Sequence, residues 1–106
     1  MVGPDQQQLN ELVRRVVEAV HPLRIIVFGS AARGKMGPDS DVDLLVVMPE
    51  GTHRLDTMGY LYRVVRGVGV PFDVVVVTPR DLEKYGDRPG LIYMTALREG
   101  REVYAA

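Results

Sequence analysis

Three short apolar runs alternate with segments of helical periodicity along this chain, and the alternation limits the folds that it can adopt. The runs are LRIIVFG (23–29), DVDLLVVM (41–48) and VPFDVVVVTP (70–79). Each is short, bounded by turn residues and rich in β-branched side chains, which favours a buried strand over a helix. The third run is almost continuous in apolar residues, so we expect that strand to be covered on both faces.

Apolar residues spaced three and four apart predict helices before, between and after these strands. The first begins near Asp5, a candidate N-cap, and ends before Pro22. A second covers about 53–67, one follows Pro79, another covers about 90–99, and the ending REVYAA predicts a short edge strand. This order predicts the α/β or α+β class, a small mixed sheet flanked by helices, and leaves the strand order open.

The composition excludes several classes of protein. The 106 residues show no break in composition, which predicts one domain over 1–106. A formal net charge of −1 gives no basic field, so we expect no direct contact with nucleic acid or membrane. The absence of cysteine excludes disulfides and thiolate chemistry. The polar N-terminus and the lack of a run near the ~20 residues of a membrane helix predict a cytoplasmic protein.

The segment GSAARGKM (29–36) has the glycine and lysine spacing of a phosphate-binding P-loop that follows a strand. Met36 stands where the serine or threonine that holds Mg²⁺ would have to be. Gly37 and Pro38 follow at once, and the proline would break the long helix that such a loop opens. The P-loop interpretation is therefore rejected.

The segment DSDVDLLVVMPE (39–50) imitates the acidic spacing of a calcium-binding loop. The sixth position of such a loop must be glycine to make its sharp turn. Here the sixth position is Leu44, inside a run that reads as a strand, and no flanking pair of helices is predicted. The calcium-loop interpretation is therefore rejected as well.

Two aspartates, with one residue between them, stand at the start of the second strand. Side chains two apart in a strand point to the same face, so Asp41 and Asp43 would share a face with Cα atoms about 6.5–7 Å apart. Clustered carboxylates resist burial, and a divalent cation removes that penalty because Mg²⁺ prefers carboxylate oxygens. Asp73 lies near the start of the third strand. If these strands are neighbours, the three carboxylates converge and can hold two metal ions around a triphosphate.

The turn after the first strand carries residues suited to phosphate. Glycine at position 29 lets the backbone approach a phosphate closely. A short helix beginning at Ser30 would aim its free N–H groups at that phosphate, and the serine hydroxyl could add a hydrogen bond. Arg33, one helical turn on, could reach a phosphate oxygen, and a solvated surface arginine is its alternative reading.

Together these residues resemble a known signature. Gly29-Ser30, ten intervening residues and Asp41-x-Asp43 match the GSx10DxD pattern of DNA polymerase β-like nucleotidyltransferases, with Asp73 in the place of the third carboxylate. The GSAARG wording and the ending ALREGREVY are most similar to the minimal nucleotidyltransferases, often called MntA. The resemblance covers nearly the whole chain and implies the polymerase β-like nucleotidyltransferase fold.

The resemblance also implies roles for these residues. Asp41 and Asp43 become Mg²⁺ ligands, and Asp73 becomes a ligand and the candidate base toward an acceptor hydroxyl. Two Mg²⁺ ions and ATP as substrate are implied, with Gly29, Ser30 and, least firmly, Arg33 at the nucleotide. Transfer of AMP to a hydroxyl would then release pyrophosphate.

Minimal members of this family also resemble antitoxins that are paired with a HEPN-domain toxin, and some transfer AMP to a tyrosine of that toxin. The resemblance therefore implies a partner protein as acceptor, since the chain has no room for the acceptor-binding domain of larger relatives. Two alternatives stay open. The chain could neutralise its partner by occlusion without chemistry, or it could modify a small molecule such as an aminoglycoside. The C-terminal edge strand could also pair with a second copy, giving a homo-oligomer.

The remaining polar and aromatic side chains have ordinary explanations. His21 and His53 stand alone beside Pro22 and Thr52, so we expect exposed residues at the ends of elements and no metal site. The five tyrosines are not interleaved with basic residues in the manner that stacks bases, so we expect them in the core or at an interface.

Overall fold

The computed structural model describes residues 6–29, 41–85 and 92–106. The order of helices and strands within these ranges confirms the predicted alternation. The elements are α1 Gln6–Val20, β1 Arg24–Phe28, β2 Val42–Val47, α2 Arg54–Val64, β3 Phe72–Val77, α3 Pro79–Tyr85, α4 Ile92–Glu99 and β4 Arg101–Ala105. Asp5, the proposed N-cap of the first helix, lies outside the described residues.

The four described strands form one mixed sheet in the order β3-β2-β1-β4. β1 pairs antiparallel with β2 and β4, whereas β2 and β3 are parallel. Parallel neighbours need a crossover connection, and α2 supplies it between β2 and β3. The predicted fold class is therefore confirmed, and the predicted C-terminal strand lies at an edge of the sheet.

Helices cover both faces of the sheet, so successive residues of a strand enter different apolar clusters. Leu44 of β2 belongs to a first cluster that includes Leu12 of α1 and Leu61 of α2. The next residue, Leu45, belongs to a second cluster that includes Ala96 of α4. Burial on both sides explains why the strands read as continuous apolar runs instead of alternating ones.

β3 is covered on both faces although it lies at an edge of the sheet. Val74 and Val76 belong to the first cluster and Val77 to the second, as its apolar sequence predicts. The strand is more open where it begins, since Phe72 is half-buried and Asp73 is exposed. β3 thus carries its one charged residue at the exposed end and its valines toward the buried end.

The second helix is shorter than its sequence pattern predicts. It ends at Val64, and the chain is extended at Val65. Val65 and Val68 are buried but reach the core from the segment after the helix. Leu55 and Val64 are 74% and 43% exposed, so they lie outside the core although they follow the apolar spacing that predicted this helix.

Local hydrogen bonds account for polar residues at the starts of two helices. His53 is exposed and its Nδ1 accepts from the Asp56 N–H at 3.3 Å, which caps α2. Thr78 and Asp81 form a reciprocal cap on α3: Asp81 Oδ2 accepts from the Thr78 N–H at 3.0 Å, and Thr78 Oγ1 accepts from the Asp81 N–H at 3.3 Å. His53 and Asp81 therefore have structural explanations. In the described part of the chain no helix has the length and apolar character of a membrane span.

Candidate active site

The pairing of β2 with β3 brings together the aspartates that the sequence analysis singled out. In the parallel register, Asp43 lies directly opposite Asp73. Side chains in register on neighbouring strands point to the same face of a sheet. Asp41 stands one residue before β2, and the antiparallel register places Phe28, at the end of β1, opposite Asp43. The C-terminal end of β1 therefore lies beside the N-terminal ends of β2 and β3, and all three are at the same end of the sheet.

The three carboxylates interact with one another. The carboxyl group of Asp41 lies close enough to Asp73 to raise the pKa of Asp73. Burial raises the pKa of Asp43, and the charges of Asp73 and Asp41 raise it further. The pKa of Asp73 is raised first by its partial removal from water and then by the neighbouring carboxylate of Asp41. These shifts mean that ionising all three groups is unfavourable unless positive charge lies among them.

The donor chemistry fits a magnesium site. Within the described ranges, no three carboxylate or imidazole groups are clustered tightly enough to form a ready-made metal site. Instead, Asp41 and Asp73 form a pair and Asp43 interacts with both through its charge. Carboxylate oxygens are the ligands that Mg²⁺ takes in proteins, usually one or two together with substrate phosphates. Asp41, Asp43 and Asp73 are therefore the residues that would hold the ion.

Glycine at position 29 is required by its backbone and by a neighbouring side chain. Gly29 has φ +72°, a region that L-residues with a Cβ rarely adopt. A Cβ at this position would overlap Oδ2 of Asp43. The carboxylate of Asp43 thus lies directly against the glycine backbone. The sequence predicts the close approach of a phosphate to this glycine, and the structure adds a second reason for it.

Two predicted nucleotide-binding residues cannot be placed. Ser30 and Arg33 lie outside the described residues, as does the whole of 30–40, so these assignments stay predictions. Leu44, which stands where a calcium loop needs its turn glycine, is fully buried in β2. That burial agrees with the rejection of the calcium-loop interpretation.

One contact of the site was not indicated by the sequence. Tyr62, near the end of α2, accepts a hydrogen bond from the Val74 N–H at 2.8 Å. Its ring stacks on Phe72, with centroids 5.6 Å apart and an interplanar angle of 16°. Its hydroxyl also lowers the pKa of the neighbouring Asp73 carboxyl, against the effects of burial and Asp41.

The sequence predicts a core or interface position for all five tyrosines. Tyr60 and Tyr62 are each 42% exposed, so neither is a core residue, and an interface position for them stays a prediction. A helical pattern shows which residues share a face. It does not show which residue of the next strand a side chain near the end of the helix will contact. The proximity of Tyr62 to Asp73 therefore had no signal in the sequence.

Comparisons with known proteins agree with this geometry. The family model for the nucleotidyltransferase domain matches residues 9–102. A proposed nucleotidyltransferase from Sulfolobus solfataricus has a similar fold, with a TM-score of 0.56 and 19% identity over 97% of this chain and 91% of that one. A toxin–antitoxin structure with AMP-PNP gives a TM-score of 0.55 and 17% identity over 92% of this chain and 73% of that one.

A search of curated protein sequences found no significant match. At identities below 20%, the two solved structures establish a common fold only. The family model covers most of the sequence, and its range includes the turn at Gly29 and all three aspartates. The chain therefore belongs to the nucleotidyltransferase domain family.

Proposed function

We propose that this chain is a Mg²⁺-dependent nucleotidyltransferase that transfers AMP from ATP to a hydroxyl group, most simply a tyrosine, of a partner protein. The observation that carries the proposal is the register of β2 and β3, which sets Asp43 opposite Asp73, with Asp41 close enough to raise the pKa of both. Gly29, which follows β1 at the same end of the sheet, lies directly against the Asp43 carboxylate.

The reaction needs one nucleophile, one base and one leaving group. The acceptor oxygen forms a bond to the α-phosphorus of ATP, and the bond from that phosphorus to the bridging β-phosphate oxygen breaks, releasing pyrophosphate. The hydroxyl proton passes to a carboxylate oxygen of Asp73, which acts as the general base. Mg²⁺ held by Asp41, Asp43 and Asp73, with two ions in our proposal, would neutralise charge on the triphosphate.

The exposure of the site supports an acceptor that belongs to another protein. Asp41 and Asp73 are both exposed, so a side chain presented by a partner can reach them. The fold is shared with a toxin–antitoxin structure with AMP-PNP. We therefore propose that the chain is an antitoxin and that the acceptor is a HEPN-type toxin.

Label transfer tests this proposal. The protein is incubated with α-³²P-labelled ATP, Mg²⁺ and a candidate HEPN toxin encoded beside it, and the label on the toxin is measured. We expect transfer with the wild type and loss of at least 100-fold with Asp43→Asn, in the range of positioned charge in catalysis. The matched control is Asp56→Asn, an aspartate with 82% side-chain exposure on α2. Label on the toxin that is unchanged in Asp43→Asn would contradict the assignment.

A second function is favoured by one face of α2. Tyr60 and Val64 lie one helical turn apart and are 42% and 43% exposed, and both line a groove next to α1. Neighbouring exposed apolar residues of this kind can form part of a protein contact. The chain could then neutralise a partner by occlusion, and the double variant Asp41→Asn with Asp43→Asn separates the two functions. Neutralisation retained by that variant would favour occlusion, and neutralisation lost would favour transfer.

A further inference from the structure

The two edges of the described sheet differ in how they resist the addition of a further strand. An edge strand presents unpaired N–H and C=O groups to which another chain can add, and short length, charged side chains and bulges discourage that addition. β4 has all three: it is five residues long, exposes Arg101 and Glu102, and is bulged where it pairs with Ile25 and Ile26. β3, at the other edge, has Asp73 as its single charged residue.

The composition of β3 favours pairing with a copy of itself. Its six residues, FDVVVV, are aromatic or β-branched apart from the aspartate, and they include no proline. Short segments with high β-propensity, low charge and no proline are the ones that stack with identical segments of other chains. An open edge of this composition therefore needs protection from elsewhere in the fold.

The hydrogen bonds to β2 show which backbone groups of β3 face outward. The carbonyl oxygens of Pro71 and Val77 accept from N–H groups in and just after β2 at 3.0 and 2.8 Å. Alternate residues of a parallel strand bond to the same neighbour, so Phe72, Val74 and Val76 direct their backbone groups away from β2. In an antiparallel pair of two β3 strands centred on Val74, the two copies of Val74 would exchange both of their hydrogen bonds.

A side chain of α2 occupies this central position. The hydroxyl of Tyr62 accepts from the Val74 N–H at 2.8 Å. Its ring stacks on Phe72, with 5.6 Å between the centroids and an interplanar angle of 16°. The preceding residue, Leu61, is fully buried and anchors this turn of the helix in the core. Tyr62 therefore takes the N–H that an added strand would need, and packing holds it there.

We propose that Tyr62 protects the open edge of β3 from strand addition by a second copy of this chain. The wild-type hydroxyl would have to leave the Val74 N–H in each copy before two β3 strands could pair. Each hydrogen bond of this kind changes an equilibrium constant by a factor of about five. Self-association of the folded chain is independent of the proposed function, so neither result decides the other.

The test is Tyr62→Phe, which removes the hydroxyl and keeps a ring on Phe72. Amide hydrogen exchange measured by NMR reports on the Val74 N–H, and sedimentation equilibrium over a range of protein concentrations gives the dissociation constant of self-association. We expect the Val74 N–H of the dilute variant to exchange about five times faster than in the wild type, and self-association to tighten at least about 10-fold. At concentrations where the variant associates, this N–H should be protected again, because the contact is at β3.

Two further variants control for other effects of the substitution. Tyr60→Phe is the matched control: Tyr60 lies on the same helix with the same 42% exposure, and it lines the groove next to α1. It should behave as the wild type does. Tyr62→Lys loses the ring stack as well as the hydroxyl, but a lysine beside an edge strand discourages pairing. We expect this variant to associate less than Tyr62→Phe, whereas association through partial unfolding would make it associate more.

Several results would overturn the inference. They are a Tyr62→Phe variant that associates no more tightly than the wild type, a Val74 N–H whose exchange does not change, and association that leaves this N–H unprotected. Association of Tyr60→Phe or Tyr62→Lys as tight as that of Tyr62→Phe would also contradict a role for the Tyr62 hydroxyl at this edge.

Discussion

At the scale of single residues, the site depends on a glycine that leaves room for a carboxylate. Gly29 has φ +72°, and a Cβ there would overlap Oδ2 of Asp43. Gly51 has a similar conformation, φ +89°, but nothing lies within 4 Å of the position that its Cβ would take. An alanine at either position would therefore strain the backbone, but only at position 29 would the new Cβ also clash with a residue of the site.

We predict that Gly29→Ala loses both stability and nucleotide binding. The backbone strain and the displaced carboxylate together should cost about 2–3 kcal/mol of unfolding free energy, whereas Gly51→Ala should cost about 1 kcal/mol from strain alone. Thermal denaturation measures the stabilities, and calorimetry with Mg²⁺ and ATP measures binding. Gly51→Ala is expected to bind normally. Normal binding by Gly29→Ala would contradict the close approach of Asp43 to this turn.

The raised pKa of Asp43 predicts how the site affects stability. Because burial and the two neighbouring carboxylates raise this pKa from 3.8, the folded chain keeps its proton to higher pH than the unfolded chain does. The free energy of unfolding therefore falls as pH rises from the unfolded-state pKa of Asp43 to its folded-state pKa. The contribution of this group is lost completely above the folded-state pKa. The site is thus expected to reduce the stability of the metal-free protein at neutral pH.

It follows that Asp43→Asn should stabilise the metal-free protein at pH 7. Solvent screens a half-exposed group, so we expect a gain of roughly 0.5 kcal/mol, or a rise in Tm of about 2–4 °C. The gain should vanish below about pH 3, where the wild-type carboxyl is protonated in both states. Thermal denaturation in a chelator at the two pH values measures both. A lower Tm for the variant at pH 7 would argue against the mutual repulsion of these carboxylates.

At the scale of elements, the predictions depended on how much of each element is buried. β1, β2 and β3 were predictable because both of their faces are covered, which leaves continuous apolar runs. α2 was predicted less well, since its apolar residues lie all around the helix and only Leu61 is buried within it. The three-residue steps from Leu55 to Leu61 indicate a helix but do not show which of the two faces the core, and nothing in the sequence signalled the end of the helix at Val64.

The two leucines of α2 should therefore respond differently to truncation. Leu61 is fully buried in the first cluster, so we expect Leu61→Ala to cost about 2–4 kcal/mol. Leu55 is 74% exposed, so Leu55→Ala should cost less than about 0.5 kcal/mol. Urea denaturation compares both with the wild type. Equal costs would mean that α2 packs in a different rotation from the one described.

At the scale of the whole molecule, the site arises from topology more than from any one segment. The sequence indicated that Asp41 and Asp43 share a face and that Asp73 would join them if two strands were neighbours. This condition is satisfied by the strand order and by the parallel register of β2 and β3. Neither could be predicted from the sequence pattern, because an apolar run shows that a strand is buried and does not show which strand lies beside it. The contact of Tyr62 with Val74 depends on the same topology.

The family match agrees with this topology, since it includes every strand that contributes to the site. The roles of Ser30 and Arg33 and the single-domain organisation of residues 1–106 stay predictions. The central claim concerns Asp41, Asp43 and Asp73. We propose that they bind a nucleotide through Mg²⁺ at the end of the sheet where β1 ends and β2 and β3 begin.

The most direct measurement is a calorimetric titration of ATP into the purified protein, with Mg²⁺ and with a chelator, beside Asp41→Asn. The account predicts that the wild type binds ATP only with Mg²⁺ and that the variant binds at least 10-fold more weakly. Asp56→Asn, on exposed α2, should match the wild type. Binding that is equally tight without Mg²⁺, or unchanged in Asp41→Asn, would contradict the claim that these carboxylates hold the metal and its nucleotide.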